Sequence, residues 1–299
     1  WLAGVAEMPS IERLRQRVLE AAPDIHLRYG DPGVLPLPYR KSILKALVDR
    51  YKGRDRVSIS WDGDALKRLA SPDLSGDVSA YLASSETPED LKCDLLMLVA
   101  HGRLSDCCDV AITMLGDSVT TENLRLYAAA AIRDSGTPQI RRQAFDALIG
   151  MSNPSSRLIG HVIEACFPTV ISVEELLAAI RKSPEIRRYS VDLPYALEKH
   201  LREVLTPEAS VSILNGLLVL LFEPPLIERK SVSRRYAWTV ELIPLCLQLI
   251  LGKAQLSSDE VDSVVESVRA LESRNLYGWW DSHGRRNETK DIAEALDQH

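Results

Sequence analysis

The chain has 299 residues, 45% of them hydrophobic, 26% charged and 6% aromatic, with a net charge of −6 and a pI near 5.6. That balance belongs to ordinary globular domains rather than to disordered chains. An excess of acid over base runs against general DNA or RNA binding, where phosphate neutralisation supplies most of the affinity.

Ser10 is placed to cap a first helix with Ile11, Leu14 and Val18 on one face. The Pro/Gly-rich stretch GDPGVLPLP, residues 30–38, reads as an irregular connection. Tyr39 to Tyr51 follows as a helix with Ile43, Leu44, Leu47 and Val48 inward, and Trp61 to Ala70 as a shorter one. Ser71-Pro72 and Gly76 punctuate the next turn.

From Thr87 onward the chain repeats. Leu91, Leu95, Leu98 and Val99 return 33 residues later as Leu124, Ala128, Ala131 and Ile132, and after a further 34 as Leu158, Val162, Ala165 and Cys166. A second series runs between them: Cys107, Ala111, Met114 and Leu115, then Ile140, Ala144, Ala147 and Leu148, then Val173, Leu177 and Ile180. Each unit is a pair of amphipathic helices that cannot bury its own apolar faces and must stack on the next pair. Thr87-Pro88, Thr137-Pro138, Asn153-Pro154 and Thr206-Pro207 are start signals, and Gly102, Gly116, Gly136 and Gly150 stop signals, in phase with the repeat. The period reaches Leu193, Leu197, His200 and Leu201, then loosens into longer helices at 208–222, 235–251 and 257–273. Pro244 is expected to kink the second of these or remove its first turn. Val261, Val264, Val265, Val268 and Leu271 are expected inward on the last, before a polar stretch, 274–291, and a short final helix.

Five cysteines, Cys93, Cys107, Cys108, Cys166 and Cys246, form an odd set without a CxxC pair, as expected of reduced structural thiols in a cytoplasmic protein. Cys107 and Cys108 are read as one residue in and one out on a helix. The best apolar run, Val211 to Phe222, is 12 residues long and holds Asn215 and Gly216, whereas a bilayer needs ~20, so no membrane role is expected. The start has no basic stretch before an apolar one, hence no signal peptide, and a chain opening on Trp1 reads as a piece of a longer protein.

Chemistry-bearing motifs are scarce. His26, His101, His161, His200, His283 and His299 are scattered without HxxxH or HExxH spacing, so no metal site is expected. Glu89-Asp90, Glu174-Glu175 and Asp259-Glu260 fall in first turns of helices, where they complement the dipole. No GxSxG elbow is present, and Ser190 and Ser231 lack a His partner. No GxxxxGK[ST] phosphate loop is present either, so no cofactor or nucleotide is expected here. The candidate interaction residues are the arginine doublets Arg141-Arg142, Arg187-Arg188 and Arg234-Arg235, together with Trp279-Trp280. The doublets could line one edge of a solenoid and grip an acidic partner, or pair with Asp134, Asp146, Glu185 and Asp192 as a solvated edge. The tryptophans are either an exposed hot spot or a plug at the end of the array.

The runs ENLRLYAAAAIRDSG and PQIRRQAFDALIG, residues 122–136 and 138–150, resemble HEAT-type repeats. The stretch HLRYGDPGVLPLPYRKSILKALVDRYKGR, residues 26–54, behind the WLA of Trp1 to Ala3, resembles the region that follows the nucleotide-binding core in bacterial NACHT-type STAND NTPases, many of which act against phage. The resemblance implies an all-α HEAT-like α-α superhelix with an N-terminal helical connector (1–86), repeats (87–205) and a C-terminal helical cap region (206–299). It implies a non-catalytic sensor-relay segment whose NTPase domain lies upstream of residue 1, with that domain or another protein as partner. It also implies oligomer formation through the full-length protein. The alternative is a free-standing α-solenoid adaptor. A HEAT-scaffold enzyme such as the HEAT-like DNA glycosylases is disfavoured by the negative charge and low aromatic content.

Overall fold

The computed structural model describes residues 9–52, 63–185, 192–227, 232–253 and 255–272. Among these the chain is all-α, with fifteen α-helices, short 3-10 turns and one two-stranded hairpin. It divides into two units, Trp1–Ala147 and Leu148–His299. The division falls within α9, inside the segment expected to carry the repeats.

The first unit contains α1 (Pro9–Ala21), α2 (Ile25–Arg28), α3 (Leu37–Tyr51), α4 (Gly63–Leu69), α5 (Ser75–Ala83), α6 (Glu89–Gly102), α7 (Cys108–Gly116), α8 (Glu122–Ser135) and the start of α9 (Pro138–Gly150). Alternate helices pack on one another: α4 on α6, α6 on α8, and α5 on α7. Neighbouring helices join these layers, α5 against α6 and α7 against α8. The Ser135 hydroxyl donates to the Val99 carbonyl at 2.7 Å, and Thr121 donates to Glu89, so α6 and α8 run parallel, end to end and start to start. Leu91, Leu95, Leu98, Val99, Leu124, Ala128, Ala131 and Ile132, the repeating series of this unit, are all buried.

Small residues set how closely the layers approach. A Cβ on Gly102 would sit 2.2 Å from that of Ala70, so the close contact between the ends of α4 and α6 requires glycine there. The expected stop at Gly102 is therefore right in place and different in cause. The left-handed residue that closes α6 is Arg103, at φ 52.

The second unit contains α10 (Ser156–Cys166), α11 (Val173–Arg181), α12 (Asp192–Val204), α13 (Pro207–Leu221), the strands β1 (Leu226–Ile227) and β2 (Val232–Ser233), α14 (Ile243–Leu251) and α15 (Ser258–Glu272). Again α10 packs on α12, α11 on α13 and α13 on α15. Leu158, Val162, Ala165 and Cys166, then Leu193, Leu197 and Leu201, are buried at the repeat positions. The strands pair antiparallel, Leu226 opposite Ser233 and Ile227 opposite Val232, within what reads in sequence as a plain loop.

Several local expectations need correction. Thr87 is buried and does not cap α6; Pro88 holds that position with no side-chain cap. Ser155 rather than Asn153 caps α10, accepting from the Leu158 amide at 3.2 Å. Thr137 and Thr206 do cap their helices as expected, each from 3.3 Å. Leu177 is only half-buried. The inward residues of α11 are Leu176, Ala179 and Ile180, while Leu177 lies against Gly216 of α13, where a Cβ would come within 2.1 Å of its Cδ1. On α15 the inward line is Val264, Ser267 and Leu271, leaving Val261 at 41% and Val265 at 36% exposed. The expected helix 235–251 is split into a 3-10 segment, Ala237–Leu242, and α14 with Pro244 in its first turn, because proline has no amide to continue an α-helix from upstream.

Two substitutions test this packing. Gly102→Ala is expected to cost about 1–3 kcal/mol by overpacking the α4–α6 contact. Ala128→Arg, which buries an unpaired cation between α6 and α8, is expected to cost about 3–5 kcal/mol or to prevent folding. Urea denaturation of each variant beside the parent measures both, and an unchanged midpoint in either removes the corresponding interface.

Candidate functional site

Helices leave their last carbonyls without intrahelical partners. In this chain, polar side chains about one repeat away supply them. In the first unit Ser135 reaches Val99 near the end of α6, 36 residues back; the Cys107 thiol makes a different bond at the same spacing, to the Ser75 carbonyl in the first turn of α5 at 3.4 Å, 32 back. In the second unit the Lys182 ammonium donates to the Met151 carbonyl at 3.1 Å, 31 back, and His200 Nε2 bonds the Phe167 carbonyl at 2.9 Å, 33 back. Side-chain pairs keep the same spacing: Thr121 with Glu89, Asn123 with Cys93, Lys41 with Asp77 at 3.0 Å, and Lys52 with Glu86. These bonds, scattered in sequence, tie neighbouring helix pairs together within each unit.

The arginine doublets divide by role. Arg141 donates to the Arg133 carbonyl at 2.7 Å, closing the end of α8. Arg235 does the same for Ser183 beyond α11, through Nε at 2.7 Å, and the Tyr236 hydroxyl donates to the Arg181 carbonyl at 3.1 Å. Arg142 pairs with Asp146 at 3.0 Å and stacks over Phe145, as the solvated-edge reading expects. Arg234 is exposed at the end of β2. The structure does not gather these residues into one site. Arg187, Arg188, Trp279, Trp280, His283, His299, Ser190 and Ser231 lie outside the described residues.

All five cysteines are free thiols and all are buried. Cys107 ends a 3-10 turn and Cys108 opens α7, so the change of helical pitch turns both inward, against the expected one in and one out. Burial pushes the Cys93, Cys108 and Cys246 thiols up to about 12, so none supplies a thiolate near neutral pH. The acidic pairs stand in first turns as expected, and two of them complete reciprocal caps. Glu175 and Ser172 form a capping box, and Glu260 and Ser257 exchange the same two bonds. His161 sits 3.7 Å from Glu164, and His101 is exposed in the last turn of α6. Among the described residues no group of three or more His, Cys, Asp or Glu could hold a metal ion, and no helix is long and apolar enough to cross a membrane.

Two polar features escape sequence reasoning. Asp94 is buried on α6 among Cys93, Leu95 and Leu96. Its signal was a lone carboxylate within the apolar run LKCDLLMLVA. The second is a buried contact between His26 and Tyr39, with Tyr39 Oη and His26 Nε2 3.1 Å apart. Nothing in the spacing of those two residues announces it.

With this geometry in view, the comparisons add no relative: no family model, curated protein or solved structure matches the chain.

Asp94 yields a prediction with a definite sign. Desolvation, then the neighbouring charge of Asp90, raises its carboxyl from 3.8 to about 7. A carboxyl raised by folding favours the native state only when protonated, so the destabilisation is absent below pH 4, grows between 4 and 7 and is complete above 7. Asp94→Asn is therefore expected to stabilise the chain by about 2–4 kcal/mol at pH 8 and to leave it unchanged at pH 4. Urea midpoints at the two pH values check this; a gain at pH 4 equal to that at pH 8 rules out ionisation as its cause.

Proposed function

We propose that the chain is a non-catalytic HEAT-like scaffold, the sensor-relay segment of a larger cytoplasmic STAND NTPase of the NACHT type that acts in bacterial defence signalling. One observation supports this most: side-chain bonds at 30–36 residues couple helix pairs within both units, in step with the buried apolar series. Helix pairs coupled in this way transmit bending from one pair to the next, and their Ala, Leu and Val faces fill the space between helices. The likeness of residues 26–54 to the region behind a NACHT core adds the connection to a nucleotide switch. In this reading, contact of a ligand or partner with the repeats shifts their curvature and biases the attached NTPase toward its oligomeric state.

Partner contact falls to Arg187, Arg188, Arg234, Trp279 and Trp280, since Arg141 and Arg235 are occupied by helix-end carbonyls. Arginine–carboxylate recognition there suits an acidic protein surface.

The proposal is tested in two steps. Calorimetry of the isolated chain with Mg-ATP is expected to show no binding, and stoichiometric micromolar binding overturns the non-catalytic reading. The reading frame that contains the chain is then expected to encode a phosphate loop upstream of Trp1. A frame without one favours the free-standing adaptor.

A further inference from the structure

Among its described side chains, few anchor the N-terminal helix α1 to the rest of the first unit. Leu19 is its buried apolar anchor, Val18 is half-buried, and Leu14 is 43% exposed. Its last carbonyls are met by Arg50, which donates to the Ala21 carbonyl. A further hold is electrostatic: the Arg15 guanidinium lies 5.4 Å from the centroid of the Tyr39 ring on α3. The described side chains of α1 thus bury little apolar area, as in segments of low local stability.

Tyr39 is also the partner of His26. The two rings meet edge to face with centroids 5.4 Å apart, and both residues are buried. Burial pushes the Tyr39 phenol up to about 12, so its hydroxyl stays protonated; it donates to His26 Nε2 in one neutral tautomer and accepts from the ring N–H otherwise. One tyrosine thus joins α1, α2 and α3, with a cation on its face and an imidazole at its hydroxyl.

We infer that His26 is a proton-operated latch for α1. While neutral it bonds the Tyr39 hydroxyl and leaves the ring to Arg15; once protonated it sets a second cation beside Arg15 and releases the helix.

Among the described residues His26 has no ion pair. From α1 come Arg15 and Glu12, and Glu12 already sits 3.3 Å from Arg15. On α2 itself Asp24 is paired with Arg28 at 3.6 Å. From α3 come Tyr39 and Arg40. α4, which packs on α2, carries Asp64, Lys67 and Arg68, and Arg68 draws in Asp31 at 3.5 Å. Burial first, then the positive charge of the chain's N-terminal amine and that of Arg15, hold the His26 imidazole below its ordinary 6.5. The sign follows: the docked state is fully favoured above pH 6.5, where His26 is neutral in both states. It loses ground as pH falls below that, because the undocked state binds the proton more readily.

The test is amide hydrogen exchange of the full chain, corrected for intrinsic rates, at pH values from 7.5 to 5.0. Protection of α1 is expected to fall at least tenfold over this range while that of α6, where Asp94 becomes protonated, does not fall. His26→Gln, which keeps an acceptor and cannot become a cation, is expected to abolish the pH dependence. In the parent chain, the midpoint for loss of α1 protection is expected to match the His26 imidazole titration followed by NMR, so the test does not depend on the variant folding. A flat pH profile of α1, a dependence that persists in His26→Gln, or two midpoints that disagree overturns the latch. None of these outcomes bears on whether the chain is joined to an NTPase.

Discussion

The unfilled carbonyls at the end of a helix are the constraint on which the rest of this structure depends. A helix of nine to fifteen residues, the common length here, leaves about four of them. When the helix is packed among others those groups cannot all reach water, and a buried polar group without a partner costs about 1–3 kcal/mol. The chain meets this cost in part with side chains placed about one period away, Lys182 for Met151 and His200 for Phe167, while Ser135 adds a second donor to the Val99 carbonyl. Arginines at shorter or longer range, Arg141 and Arg235, do the same for α8 and for the turn after α11. The apolar faces and the polar ends therefore make the same demand, that every pair have a neighbour.

That demand explains the residue choices. Alanine and glycine at Ala128, Ala131, Gly102 and Gly216 let helices approach closely, and the leucines between them fill what remains. Packing of this kind gives each pair a fixed seat on the next. The places where the rule is relaxed are few. Asp94 puts a carboxyl into the apolar face of α6, and among its described side chains α1 buries Leu19 and sets Arg15 over the Tyr39 ring. Such departures are where function is expected, because they lower local stability without helping the fold.

Much of the fold was legible in the sequence, for a physical reason. The positions at Leu91, Leu124, Leu158 and Leu193 recur because each helix repeats the same burial problem, and a 3.6-residue period exposes it directly. Where the problem changed, the reading slipped. Leu177 exchanged places with Leu176 because the crossing with α13 runs over Gly216, a tertiary fact. Cys108 turned inward because a 3-10 turn shifts the helical phase at Cys107. Pro244 was recognised as a break, but not the 3-10 segment ahead of it. The candidate site was less legible. Charge and doublet spacing singled out Arg141 and Arg235, but only the structure shows them closing helix ends. The His26–Tyr39 contact joins residues of different elements and leaves no trace in any period.

The central claim, that the helix pairs are interchangeable units coupled to their neighbours, is tested most directly by removing one. Excising residues 103–135 deletes α7 and α8, 33 residues or one full period, and joins the end of α6 to the start of α9. The shortened chain is predicted to keep its helical circular dichroism and to unfold in one cooperative transition at a lower midpoint. A second excision of residues 103–127 breaks the phase of the repeat and is predicted to lose that transition. If the in-phase deletion is as non-cooperative as the out-of-phase one, the pairs are not equivalent units and the account is contradicted.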